Sequence, residues 1–172
     1  RYKAIKTNQR NVDRQHRKEH VTVIDRSQLA LAPPPVTVVV MGPPGCGKTT
    51  LIKSLVKNYT RQSLVDVCGP ITVVTGKKRR VTFFECKNNL CCMMDLAKIA
   101  DLVLLMIDAS FGFEMETFEF LNVLQLHGFP KVIGVLTHLD TFRQGKRLQK
   151  TKKRLKQRFW TEIYQGAKLF YL

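Results

Sequence analysis

The 172-residue chain predicts an α/β fold: a mainly parallel sheet with one antiparallel edge strand and helices on both faces. Three observations predict it. The run Val36 to Met41 is almost wholly β-branched, the texture of a strand buried on both faces. It enters a glycine-rich loop that opens directly into an amphipathic segment. Further short apolar runs then alternate with helical periodicity, the pattern of repeated βα units.

In order along the chain, residues 1–34 are polar and basic with poor helical spacing, and read as an N-terminal arm. Pro33-Pro34-Pro35 is a stiff break that separates this arm from a domain over residues 35–172. After the strand at Val36, Gly42 to Gly47 form a loop. Lys48 to Lys57 read as a helix with Leu51, Ile52, Leu55 and Val56 on one face. Ile71 to Thr75 and Val81 to Glu85 are two strands, and the basic Gly76 to Arg80 between them reads as a hairpin tip. Leu102 to Ile107 is another buried strand. Glu114 to Leu126 is a helix with acids in its first turn, closed by Gly128 and Pro130. Lys131 to Leu136 is a strand. Leu148, Leu155, Phe159 and Ile163 line one face of a very basic helix, and Lys168 to Leu172 start a last strand. The expectation is a piece of a longer protein, cut within that strand.

Charge is unevenly placed. The formal net charge is +16: residues 1–26 carry +5, residues 27–140 carry +2, and residues 141–172 carry +9. Basic flanks on a nearly neutral body suggest a polyanionic partner, most simply RNA, against the plainer alternative of a solvated or localising surface. The candidate contacts are Lys77, Lys78, Arg79 and Arg80 at the hairpin, with Arg154, Lys156 and Arg158 on the late helix. No apolar run approaches the ~20 residues of a membrane span, so no membrane partner is expected. Five cysteines without a C-x-x-C pair point to a reducing compartment and to core packing rather than metal ligation.

The chemistry begins at Gly42-Pro43-Pro44-Gly45-Cys46-Gly47-Lys48-Thr49, which matches the P-loop pattern between a strand and a helix. Its backbone N–H groups and the helix N-terminus suit phosphate oxygens. Lys48 supplies charge at the β- and γ-phosphates, and Thr49 offers a hydroxyl to Mg2+, with Thr50 following in the first turn. The loop does not choose the base, and it resembles that of AAA-type ATPases. That alternative expects a strand ending Asp-Glu, whereas Phe83-Phe84-Glu85-Cys86 and Ile107-Asp108-Ala109 do not supply one.

Thr137-His138-Leu139-Asp140 follows a buried strand and resembles the base-recognition motif of GTPases. The Asp140 carboxylate has two acceptors for the N1–H and 2-amino donors of guanine. Adenine would leave it unpaired, at a cost of about 1–3 kcal/mol when buried. His138 can stack on the base, and Thr137 stands where a tether to the phosphate loop is expected. Gly69-Pro70-Ile71-Thr72 resembles the first switch of translation-factor GTPases, with Thr72 the candidate Mg2+ and γ-phosphate sensor. At the second switch, Glu85 stands where those proteins hold a Mg2+-bound water through Asp. Asn88 replaces a Gly, and Asn89 replaces the His that positions the attacking water. Lys48, Thr72, Glu85 and Asn89 are the candidate catalytic set, and Thr49, Thr72 and Glu85 the candidate metal set. Slow hydrolysis is expected from the altered positioner. A chain that holds nucleotide without hydrolysing it remains the third reading, beside the ATPase.

Together these segments resemble the nucleolar GTPases of the small-subunit processome, within the translation-factor-like GTPase superfamily. His20 to Arg26 and Val81 to Cys86 add to the likeness, which covers nearly the whole chain. One related assembly factor lacks a working nucleotide site, and the intact Gly47-Lys48-Thr49 separates this chain from it. The resemblance implies GTP/GDP and Mg2+ as cofactors and a place in the nucleus and nucleolus. It also implies contact with pre-ribosomal RNA, a small nucleolar RNA, a cyclase-like protein partner and other small-subunit processome proteins. The loop that packs on guanine is expected beyond Leu172.

Overall fold

The computed structural model describes residues 34–75, 79–142 and 145–172. The arm expected over residues 1–34 therefore lies outside the described residues except for Pro34, as do Lys77 and Lys78. Six strands form one sheet: β1 (Val36–Met41), β2 (Ile71–Thr75), β3 (Arg79–Glu85), β4 (Leu102–Asp108), β5 (Lys131–Thr137) and β6 (Leu169–Tyr171). Their spatial order is β2-β3-β1-β4-β5-β6. All neighbours are parallel except β2 and β3, so the antiparallel pair sits at one edge, as the hairpin predicts.

Among the described residues, four helices cover the sheet: α1 (Lys48–Thr60), α2 (Leu90–Ile99), α3 (Met115–Leu126) and α4 (Gly145–Glu162). The alternation of β1 sorts them. Val38 and Val40 face a cluster with Ile52 and Val56 of α1. Val39 and Met41 face the opposite cluster, which takes Met93 and Leu96 of α2, Phe120 and Leu124 of α3, and Leu155 and Phe159 of α4. Each such fully buried Leu or Phe contributes about 1.5–3 kcal/mol, which holds the very polar α4 on the sheet by a narrow stripe.

Several elements differ from the sequence expectation: Arg79 and Arg80, expected at the hairpin tip, pair with Thr75 and Val74 as part of β3, and α4 ends at Glu162, before Ile163. Helix α1 runs three residues past Lys57, because Arg61 adopts a left-handed conformation (φ 63°) and its N–H closes on the Lys57 carbonyl. Helix α2 was not predicted at all. Its first turn is capped by Asn89, whose side chain accepts from the Cys91 N–H at 3.1 Å.

The parallel strands β1, β3, β4 and β5 all end on the same side. Open α/β sheets bind ligands beyond these carboxyl ends, where the chain switches from one side of the first strand to the other. Here that point lies at β1, flanked by β3 and β4. The loops after Met41, Glu85, Asp108 and Thr137 converge there.

Candidate nucleotide site

The phosphate loop owes its shape to its glycines. Gly45 (φ 79°) and Gly47 (φ 89°) are left-handed, a conformation open to Gly at little cost. Gly42 needs its missing side chain for another reason. A Cβ there would lie 2.8 Å from Met106 Cβ and 2.9 Å from the Met106 carbonyl, so the loop could not lie so close to β4. Gly47 is also the N-cap of α1, with no side-chain cap and no acid in the first turn. The helix N-terminus therefore stays open to an anion. Cys46 is buried, and burial first of all raises its thiol above the ordinary value, so it serves the loop as a small neutral group.

The segment expected as the second switch lies against this loop. Thr49 Oγ1 donates to Glu85 Oε1 at 2.8 Å. Lys48 Nζ donates to the carbonyls of Gly42 and Pro43 at 2.7 and 3.2 Å, and to Asn88 Oδ1 at 3.3 Å. A hydroxyl and a carboxylate oxygen side by side are the hard donors that Mg2+ prefers. Among the described residues no three His, Cys, Asp or Glu side chains group to hold a metal alone.

Thr72 is not brought to this pair. It lies on β2 opposite Thr82, with its hydroxyl 3.0 Å from that of Thr82, three residues back along β3 from Glu85. A strand rises about 3.3 Å per residue, so the two groups stand roughly 10 Å apart along the sheet. Asn89 also takes a different place from the one expected: its carbonyl oxygen is engaged as the α2 cap, while its neighbour Asn88 faces Lys48. Thr50 is exposed in the first turn of α1, and Pro44 is exposed at the loop's crest.

At the far side, Thr137 ends β5 and Leu139–Thr141 form one 3-10 turn. Asp140 is exposed on that turn, with no side-chain partner among the described residues. The Thr137 hydroxyl lies 3.5 Å from the Ile107 carbonyl and 3.4 Å from His138 Nδ1, so it faces β4 rather than the phosphate loop. His138 is left-handed (φ 55°), a costly conformation for a residue other than Gly.

Its anchor is a residue the sequence reading gave no role. Asp108 closes β4, is 8% exposed, and sits opposite Thr137 in the β4–β5 register. Its Oδ1 accepts from the Ser110 N–H at 2.7 Å and its Oδ2 lies 2.9 Å from His138 Nδ1. Glu114 stands nearby; desolvation, then Glu116 and Asp108, raise its carboxyl above the usual range. The Ser110 and Thr141 hydroxyls, 3.0 Å apart, tie the two loops a second time. Sequence carried one hint of this anchor, an acid at the end of a fully apolar strand.

The basic candidates divide. Arg79 and Arg80 are exposed at the start of β3, the end of the sheet remote from the phosphate loop. On α4, Lys156 lies 4.7 Å over the Trp160 ring, and Arg158 lies 5.4 and 5.2 Å from the rings of Phe113 and Phe118. Arg154 instead lines a cavity beside Ser110 and Phe142. Gly166-Ala167-Lys168, which looks like a guanine-packing loop, precedes β6. It serves as a turn: the Ala167 carbonyl accepts from Trp160 Nε1 at 3.0 Å.

The architecture matches solved structures of translation elongation factor SelB from Methanococcus maripaludis. With a bound GTP analogue, GppNHp, the TM-score is 0.63 at 19% identity, over 83% of this chain and 30% of that one. The apo form gives 0.64 at 17%, over 83% and 31%. Sequence relatives are closer. The ribosome biogenesis protein BMS1 homolog of Homo sapiens is 63% identical over 163 residues, 95% of this chain and 13% of that protein. Ribosome biogenesis protein BMS1 of Saccharomyces cerevisiae is 60% identical over 171 residues, 99% of this chain and 14% of that protein. The chain thus spans about a seventh of the length of these relatives. A match to the family model described as Tsr1, G-like domain extends over residues 36–168 and takes in all four loops of the site, and the chain belongs to that family.

Proposed function

We propose that this chain is the GTP-binding and slowly GTP-hydrolysing switch domain of a small-subunit ribosome assembly factor that acts in pre-rRNA processing. The observation that carries the reading is the contact between Thr49 and Glu85 at 2.8 Å, which supports Thr49 as the Mg2+ ligand and Glu85 as its neighbour in the second switch. Lys48 supplies the charge that phosphoryl transfer needs, and Asp140 supplies guanine selection. With nucleotide bound, Lys48 Nζ would exchange the Gly42 and Pro43 carbonyls for phosphate oxygens. Thr49 and Glu85 would hold Mg2+, which would supply positive charge against the phosphates. The names of the relatives support ribosome biogenesis. The small-subunit role, the nucleolar location, the RNAs and the cyclase-like protein partner belong to this proposal, as does the division into arm and G domain.

A second reading, nucleotide held without turnover, is favoured by one observation: the amide oxygen of Asn89 is engaged in capping α2. Binding of GDP, GTP, ADP and ATP with Mg2+, compared with Asp140→Ala, tests the guanine assignment. A guanine preference of at least about tenfold that disappears in the variant is expected, since each bond to a charged acceptor is worth roughly 1.5–3 kcal/mol. Adenine preference would return the lead to an ATPase. Single-turnover hydrolysis then decides between the switch and the holding reading.

A further inference from the structure

Three cations of α4 stand apart from the rest. Arg147, Lys150 and Arg154 recur at helical spacing on one face and line a cavity of about 330 Å3 with Ser110, Thr151 and Phe142. No acid lines it. Three other cations of the same helix are committed: Lys152 lies 4.8 Å over Tyr171, Lys156 over Trp160, and Arg158 over Phe113 and Phe118, while Lys146 and Lys153 do not line this cavity. Arg147, Lys150 and Arg154 have no carboxylate or ring partner among the described residues. Three uncompensated charges beside one another repel, and are stable only where solvent or an anion answers them.

We infer that this cavity is a binding site for one nucleotide unit of single-stranded RNA, with the phosphodiester on Arg147, Lys150 and Arg154 and the base against Phe142. Pockets for single small ligands span about 300–1,000 Å3, and this one lies at the small end, fit for a phosphate and a ring rather than a helix. A cationic track with an adjacent aromatic ring is how single strands are held without sequence preference. A duplex offers no free base to Phe142. An acidic peptide would satisfy the cations but leave the half-buried ring unused. The site is separate from the phosphate loop, although its wall includes Ser110, whose hydroxyl is tied to Thr141 of the base-recognition turn. The inference rests on the reading of the protein as an RNA-directed factor.

The test is photocrosslinking of the whole protein to a 4-thiouridine single strand, mapped by mass spectrometry, with RNA affinity measured across salt. The wild type is expected to crosslink in the segment from Phe142 to Arg154. The triple variant Arg147→Gln, Lys150→Gln, Arg154→Gln should lose that crosslink at least ~10-fold and lower the salt slope by about 0.7, the value for one phosphate contact on a single strand. The charge-matched Lys152→Gln, Lys156→Gln, Arg158→Gln should lose less than ~3-fold. Both variants must keep the wild-type melting curve and GDP affinity. Equal loss in the two variants overturns the site, because bulk charge would then be the cause. Displacement of the RNA by poly-glutamate at equal charge also overturns it, in favour of an acidic protein. RNA bound only elsewhere refutes this pocket alone, whereas no RNA binding by the wild type refutes the RNA reading as well.

Discussion

Removing the Asp108 carboxylate should damage stability and guanine binding together. Asp108→Ala deletes the acceptor of the Ser110 N–H (2.7 Å) and the partner of His138 Nδ1 (2.9 Å). The Asp108 side chain is 11% exposed, so the bond to the backbone N–H is worth about 1.5 kcal/mol. The His138 side chain is 40% exposed, and screening reduces its share to about 1 kcal/mol. Together these give a loss of about 2.5 kcal/mol, or ~5–10 °C in Tm for a domain of this size. The left-handed backbone of His138 then loses what holds it, and a strain of at least ~1 kcal/mol relaxes by moving the Leu139–Thr141 turn. Asp140 rides on that turn, so GDP affinity should fall about tenfold. Thermal melting and calorimetric titration of GDP with Mg2+ measure the two effects. A double-mutant cycle with His138→Ala isolates the pair, with an expected coupling of about 1 kcal/mol. Additivity within ~0.3 kcal/mol, together with unchanged GDP affinity, would refute the anchoring role.

Two further perturbations test the packing around the site. Gly134→Ala places a Cβ 2.4 Å from Leu169 Cδ1 and 2.6 Å from Phe159 Cε2, and Phe159 is fully buried. A loss of about 1–3 kcal/mol is expected by chemical denaturation, and an unchanged midpoint would show that β6 shifts freely. Cys86, next to Glu85, has its thiol pushed up from 9.0 to about 12, first by burial and then by Cys92. The native state keeps this proton where the unfolded chain loses it. Its contribution to stability is therefore complete below pH 9 and is lost as pH rises toward 12. Denaturation midpoints should fall across that window, and iodoacetamide at pH 8.5 should label the exposed Cys68 and Cys91 and spare Cys86. Labelling of Cys86 as fast as Cys91 would contradict its burial.

What was legible in the sequence is what is contiguous in it. β1, the phosphate loop and the start of α1 form one unbroken stretch, and β5 runs directly into Thr137 to Asp140. Helix α2 escaped because Leu90 to Ile99 are apolar on most sides, while Asn88 and Asn89 had been read for switch chemistry rather than as a helix start. The Asp108–His138 anchor depends on the β4–β5 register, which pairs Asp108 with Thr137 across 29 positions that no local pattern connects. The division of the α4 cations was equally hidden, since the rings that engage Arg158 come from Phe113 and Phe118 near the start of another helix.

Under the proposed function, the cap at Asn89 would place turnover and helix integrity in competition. The Asn89 oxygen keeps a second lone pair, but the bond from the Cys91 N–H fixes its direction, so re-aiming it at an attacking water would release the cap. Releasing it costs about 1 kcal/mol, as for other N-caps, so only about one molecule in six would hold the amide free at any instant. Whatever frays the first turn of α2, a neighbouring macromolecule included, would therefore act as an accelerator without contributing a catalytic group of its own. In this chain the timer of the switch would be the end of a helix.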